Sequence, residues 1–257
     1  MLNLPENTGD DTPILTAADV LAQRWRTSRT PRIPPPHTII ICYQRDAPAA
    51  LFKRYRAIKV AGFFGDLHTL KTSGQSIGVL QPVGPGAPIV AAAVEELIAF
   101  GVQRFIAIGV AGGLQPDLYS GDIVLCDRAL RDEGTSYHYL PPARSVDANV
   151  TLVQHIDEAL GAQHIDHARG TSWTTDAPYR EMRRKVEAYR SEGVKTVEME
   201  TAALFAVGQR LKVPTAAVLV IGDRLADLTW QSPSDPQALR HSLASVAQAI
   251  VEWLRTE

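Results

Sequence analysis

From residue 37 onward the chain alternates short apolar runs with amphipathic segments, the pattern of an α/β protein. Strands are predicted at 38–43 (TIIICY), 57–61, 77–80, 104–110 (RFIAIGV), 122–126 (DIVLC), 168–173, 194–198 and 215–222 (TAAVLVIG). Runs this continuously apolar suit strands covered on both faces. Helices are predicted between them at 47–56, 87–101, 150–161, 178–190 and 199–212. The second has Pro88 in its tolerated first turn and Val90, Val94, Leu97 and Ile98 on one face. A last helix starts at Asp235-Pro236, a cap followed by a first-turn proline, and buries Leu239, Leu243, Val246, Ile250 and Leu254. With no fixed-period repeat and no linker after residue 37, residues 37–257 read as one domain.

Residues 1–36 read differently. They are polar and end in PRIPPP, an extended stretch that sets off an N-terminal arm. Within the arm Thr16 is placed to cap a short helix over 17–27, with Val20, Leu21 and Trp25 at helical spacing. A helix packed on its own subunit is the plain reading, a swapped arm the alternative.

Composition narrows the class. The 257 residues are 45% hydrophobic and 21% charged, with 26 Lys+Arg against 28 Asp+Glu. A globular chain of this size hides roughly 70–75% of its extended surface. The balanced charge argues against nucleic acid or a membrane surface as partner. Apolar runs fall short of the ~20 residues of a transmembrane span, and the start MLNLPENTGDD is acidic where a signal peptide is basic, so a cytoplasmic location is expected. Cys42 and Cys126 sit in apolar runs without ligand-type spacing, which predicts buried thiols and no metal site.

Three features carry chemistry. GPGAP at 84–88 is a glycine turn between a strand and a helix; a dinucleotide fingerprint would need glycine at Ile89, so that reading fails. Gly109-Val-Ala-Gly-Gly113-Leu-Gln-Pro-Asp-Leu-Tyr-Ser-Gly121-Asp122 is a glycine-rich bend leaving one strand and entering the next. Val197-Glu198-Met199-Glu200-Thr-Ala-Ala places two carboxylates where a strand runs into a helix. Together with the apolar strand ending in Gly222-Asp223, these motifs resemble, over about residues 77–254 and in the same order, the nucleoside phosphorylase family. That family comprises purine nucleoside and uridine phosphorylases and the methylthioadenosine and adenosylhomocysteine nucleosidases.

The resemblance implies a single-domain, three-layer α/β/α phosphorylase-like fold around a twisted mixed central sheet, mostly parallel, with the active site at the carboxyl ends of its strands. It also implies cleavage of a ribosyl–base bond. As that bond breaks, positive charge develops on the sugar while the base gains electron density, so a carboxylate on the ribose hydroxyls and a proton donor at the base both help. By resemblance Glu200 takes the ribose hydroxyls, Met199 packs on the sugar, and Glu198 lies beside the 2′-hydroxyl. Read alone, Glu-Met-Glu is also what a helix N-terminus collects.

Asp223 would be the general acid at the base. Purine-cleaving relatives carry aspartate there, whereas uridine phosphorylases carry another residue followed by arginine; this chain has Asp223 and then Arg224, and purine is favoured. Trp173 would stack on the base, with a core tryptophan as the alternative. Val110 and Gly112, on the glycine bend, are further substrate-lining candidates. Tyr179 and Arg180 lie on a flap-like segment without an assigned role. Glu133, His138 and Tyr139 cluster on a loop, where a histidine is more often surface or interface.

The nucleophile half departs from the pattern. Phosphorolytic relatives hold phosphate with a Gly-Asp-Pro-x-x-Arg loop, an arginine and a Ser/Thr; here stand Tyr43-Gln-Arg45-Asp46, Ala107 and Val110. Those substitutions remove charge-assisted donors, and Arg45 or Arg54 could act only from another direction. The nucleosidases' glutamate has no counterpart, Asp46 being the one acid of residues 43–48. No cofactor is expected, with phosphate a possible co-substrate. Three readings stand: phosphorolysis with an altered anion site, hydrolysis by water, and nucleoside binding without catalysis. A homo-oligomer is expected from the family, with His68 a weak candidate for a residue lent to a neighbour.

Overall fold

In the computed structural model, residues 13–27, 33–45 and 47–257 are described; the first twelve residues of the arm, the start of its Pro-rich stretch and Asp46 fall outside them. The strands are β1 (Thr38–Cys42), β2 (Ile58–Phe63), β3 (Gly65–Leu70), β4 (Ile77–Pro82), β5 (Arg104–Gly113), β6 (Ile123–Asp132), β7 (Ser145–Asp147), β8 (Ala168–Thr175), β9 (Thr196–Glu198) and β10 (Thr215–Arg224). The helices are α1 (Ala17–Arg26), α2 (Ala49–Arg54), α3 (Ala87–Phe100), α4 (Val150–Ala162), α5 (Arg183–Ser191), α6 (Thr201–Leu211) and α7 (Pro236–Leu254).

The sheet is mixed and runs β10-β6-β8-β9-β5-β1-β4-β3-β2, with β7 added at β6. It also closes on itself, because β10 pairs with β5 in parallel, Thr215–Ile221 against Phe105–Ala111. Strands β5, β10, β6, β8 and β9 therefore form a ring, and β1, β4, β3 and β2 extend from it as an open wing. The closure depends on β5 running past its apolar stretch to Gly112 and Gly113, which pair with Val197 and Thr196 of β9. A Cβ on Gly112 would lie 2.8 Å from Leu225 Cδ1 and 3.0 Å from Val197 Cγ1, so a side chain there would have to push these neighbours aside.

Helices cover the sheet in two groups. In one, α3 packs on α1 and α6; in the other, α7 packs on α2 and α4. Their ends follow the sequence closely. Asp235 caps α7 by accepting the N–H groups of Gln237 and Ala238 at 2.9 Å, and Gly101 ends α3 in the left-handed region at φ 117°. Residues Ile39–Cys42 of β1 are wholly buried, as are the β10 residues Ala216–Val218. Burial of that kind is the main favourable term in such a fold.

Thr16 caps α1 in a reciprocal box with Asp19. Leu21 is buried, and the Arg24 guanidinium makes two 2.8 Å bonds to the Glu96 carboxylate of α3. The helix thus packs on α3. Cys42 and Cys126 are buried thiols; burial raises the Cys42 thiol to about 12, out of the range of nucleophiles at neutral pH.

Two strands and one break escape the pattern. β3 (GDLHTL) lacks an apolar run, and β7 is three residues long. The segment 178–190 is not one helix: a 3₁₀ turn over Pro178–Arg180 is followed by extended residues Glu181 and Met182 before α5 begins. No helix among the described residues is long and apolar enough to cross a membrane.

Candidate active site

The two glutamates at the β9–α6 junction have separate tasks. Glu198 is 7% exposed, and all of its acceptor capacity is used inside the chain. One carboxylate oxygen accepts from the hydroxyls of Ser172 (3.3 Å) and Thr174 (2.5 Å), the other from the N–H groups of Glu200 (2.8 Å) and Thr201 (2.7 Å). It caps the first turn of α6. Each of its oxygens thus carries two donors from within the chain.

Glu200 stands at the N-cap of α6, also 7% exposed, and accepts the N–H of Gly86. Gly86 sits at φ 114°, a conformation open to glycine, so the glycine turn and the Met-Glu motif meet at this hydrogen bond. Burial, and then the charge of Glu198, push the Glu200 carboxyl above the usual carboxylate range; N–H bonds from Gly86 and Met199 work against them. Tyr43, just past β1, rests against Gly109, and its buried hydroxyl has no partner. Burial and the nearby charges of Glu200 and Glu198 keep it a neutral phenol. Met199, between the two glutamates, is half-buried.

A cavity of about 630 Å³ opens at the carboxyl ends of β5 and β10. Val110, Gly112 and Val197 line it, with the carboxyl groups of Asp223 and Glu181 and the aromatic rings of Tyr179 and Trp230. The Trp230 indole N–H donates to Asp223 at 2.8 Å, and Tyr179 is almost fully exposed at the rim. Glu181 is half-buried; burial, and secondarily the Asp223 charge, lift its carboxyl to about 7. Of the expected site residues, Asp223, Val110 and Gly112 line this cavity, whereas Glu198, Met199 and Glu200 are not among its lining residues.

Two further expected residues are not among the lining residues of this cavity. Trp173 is fully buried among Leu114, Leu130, Val186, Val194 and Val197, edge-on to Tyr189, with its indole N–H bonded to Asp132 at 2.9 Å. It is a core side chain; Tyr179 and Trp230 are the aromatics of the cavity. Arg224 turns away from the cavity, donating to Gln231 (3.2 Å) and to the Pro116 carbonyl (3.1 Å) while lying over the Tyr119 ring.

The remaining candidates are engaged elsewhere. Tyr139 donates to Glu95 at 2.7 Å, Glu133 accepts the Ser136 N–H, and His138 ends a short 3₁₀ turn. His68 stacks on Phe52, and Arg54 pairs with Glu252. Among the described residues no cluster of three or more His, Cys, Asp or Glu could hold a metal ion.

The sequence profile of the phosphorylase superfamily matches residues 43–254, which include both halves of this site. The chain belongs to the phosphorylase superfamily. Similar proteins include the uridine phosphorylase of Treponema pallidum (strain Nichols), 34% identical over 149 residues, 54% of this chain and 58% of that one. The guanosine phosphorylase of Halorubrum lacusprofundi is 31% identical over 172 residues, 65% of this chain and 70% of that one. In structure, the uridine phosphorylase of Vibrio fischeri ES114 superposes with a TM-score of 0.75 at 24% identity, covering 87% of this chain and 93% of that chain, a likeness of fold. The match spans little more than half of the Treponema protein.

Within this phosphorylase-superfamily site, Glu181 and Trp230 escaped the sequence reading. Glu181 falls inside what reads as a continuous helix, and Trp230 lies in a polar loop after β10. Pro178 was the available signal for the break, since it starts a turn as readily as a helix.

Proposed function

We propose that this protein cleaves the N-glycosidic bond of a nucleoside, with purine nucleosides favoured. The observation that carries the reading is the cavity itself: a volume of about 630 Å³, suited to a small ligand, with aromatic rings at its rim and Asp223 at the end of an inner strand. A flat apolar base fits between Tyr179 and Trp230, and its polar edge meets Asp223 and Glu181. The purine preference is supported by the direction of Arg224, which is turned to Pro116 and so is withdrawn from the base edge. The sugar then points inward toward Met199 and Glu200, a carboxyl held by the Gly86 N–H.

Attack by water is a second reading, favoured by the charge of the lining. The cavity-lining residues include two carboxyl groups and no lysine, arginine or histidine, which disfavours a phosphate dianion. Incubating purine and pyrimidine nucleosides with and without phosphate, and identifying base, ribose and ribose 1-phosphate, separates the two. Phosphorolysis yields ribose 1-phosphate only when phosphate is present; hydrolysis yields ribose at a rate phosphate does not change. Saturable nucleoside binding with no base released from any of them overturns cleavage in favour of a binding protein. The same reading expects a cytoplasmic homo-oligomer without a resident cofactor, and light scattering of the purified chain tests the assembly.

A further inference from the structure

We propose that Glu181 is a second catalytic carboxyl at the leaving base, a proton donor working beside Asp223. The inference rests on the glycosidic-cleavage reading and adds a residue to it. Both carboxyl groups line one cavity, and they reach it from different elements: Glu181 from the break before α5, Asp223 from the end of β10. They differ in their partners. Asp223 accepts the Trp230 indole N–H, which orients that carboxylate as an acceptor. Among the described residues no donor sits on Glu181 in this way, and burial first, then the nearby negative charge, favours its protonated form.

The other charged groups nearby have other engagements. Arg183, at the start of α5, donates to the Leu228 carbonyl at 3.3 Å. Arg224 of β10 is bonded to Gln231 and Pro116, and Asp227 accepts from Gln231 at 3.0 Å. Arg180, on Glu181's own segment, is exposed, and Tyr179 beside it stands at the rim. Asp223 is thus the charge that acts on Glu181.

In the reaction, an oxygen of phosphate or water brings an electron pair to C1′, and the C1′–N pair leaves with the base. The Glu181 proton passes to a ring nitrogen of that base. Glu181 is left as a carboxylate beside Asp223, and this repulsion draws a proton back from solvent through the open mouth of the cavity. A carboxyl poised near neutrality is matched to this cycle.

The test compares wild type with Glu181→Gln on two substrates: a purine nucleoside, whose base needs a proton, and 4-nitrophenyl β-riboside, whose leaving group needs none. Glu181→Gln is expected to lower kcat on the nucleoside by about 10²-fold or more with KM within about threefold, and to abolish the fall in rate above about pH 7. On the nitrophenyl riboside it is expected to lose less than about fivefold. Equal losses on both substrates, or an unchanged nucleoside rate and pH profile, overturn the role of Glu181 while leaving the glycosidic reading intact. Wild type inert on both substrates overturns that reading and this one together. Unchanged circular dichroism and melting temperature establish that the variant is folded.

Discussion

The β9–α6 junction and the cavity at the end of β10 are both built around two carboxyl groups, yet they are opposite in construction. At the β9–α6 junction, Glu198 and Glu200 are 7% exposed and tied to backbone N–H groups and threonine hydroxyls. At the ends of β10 and of the 178–180 turn, Asp223 and Glu181 face open space, and among the described residues the Trp230 indole is the hydrogen-bond donor to Asp223. A buried carboxyl with its lone pairs filled holds the fold in place; one with lone pairs or a proton to spare is available to a ligand. Burial alone therefore does not mark an available acid: hydrogen-bond partners set Glu198, whose oxygens are filled, apart from the other three.

The sharpest way to break this contrast is Asp223→Asn. It is expected to lower base release by about 10²–10³-fold with little change in melting temperature, since the side chain is half-buried and has one indole partner. Steady-state kinetics beside a thermal melt checks both halves of that statement, and a large loss of stability would move Asp223 into the scaffold class. Glu198→Ala should do the reverse. It strands the hydroxyls of Ser172 and Thr174 and the N–H groups of Glu200 and Thr201, a loss of about 3 kcal/mol measured by urea unfolding.

Acidity gives a smaller, graded test. Glu200 keeps its proton to higher pH in the folded chain than in the unfolded one, so the folded state binds more protons as pH rises above about 4.5. Stability from this group is then greatest in acid and falls as pH rises through its folded pKa, at no more than about 1.4 kcal/mol per pH unit. Glu200→Gln should flatten that fall in pH-dependent melts, and an unaltered slope would remove Glu200 as its source. Tyr43→Phe is the smallest change. Its hydroxyl is buried without a partner, so removal should leave the unfolding free energy within about 1 kcal/mol or raise it. A clear destabilisation in the same urea titration would reveal a partner on that phenol.

Much of this was legible beforehand, and the misses have a common cause. The apolar runs of β1, β5 and β10 and the capped helices α3 and α7 announce themselves locally, because periodicity and caps are properties of adjacent residues. β3 did not, since GDLHTL becomes a strand by pairing with β2 and β4 rather than by its own composition. The surroundings of Trp173 and Arg224 were not legible for the same reason. Whether an indole stacks on a ligand or donates to Asp132, and whether a guanidinium reads a base or bonds Pro116, depends on residues 41 and 108 positions away.

The amino-acid sequence by itself determined the alternation of strands and helices, the glycine turns, the family, and the presence of acids at Glu200 and Asp223. Only the tertiary structure decided which acids are spent and which are available. It closed β5 onto β10 and β9, brought Gly86 to Glu200, and turned the 178–182 break so that Glu181 faces Asp223's cavity. The physical reason is that a carboxyl group's chemistry is set by its solvation and its partners. Both are assembled here from segments far apart along the chain.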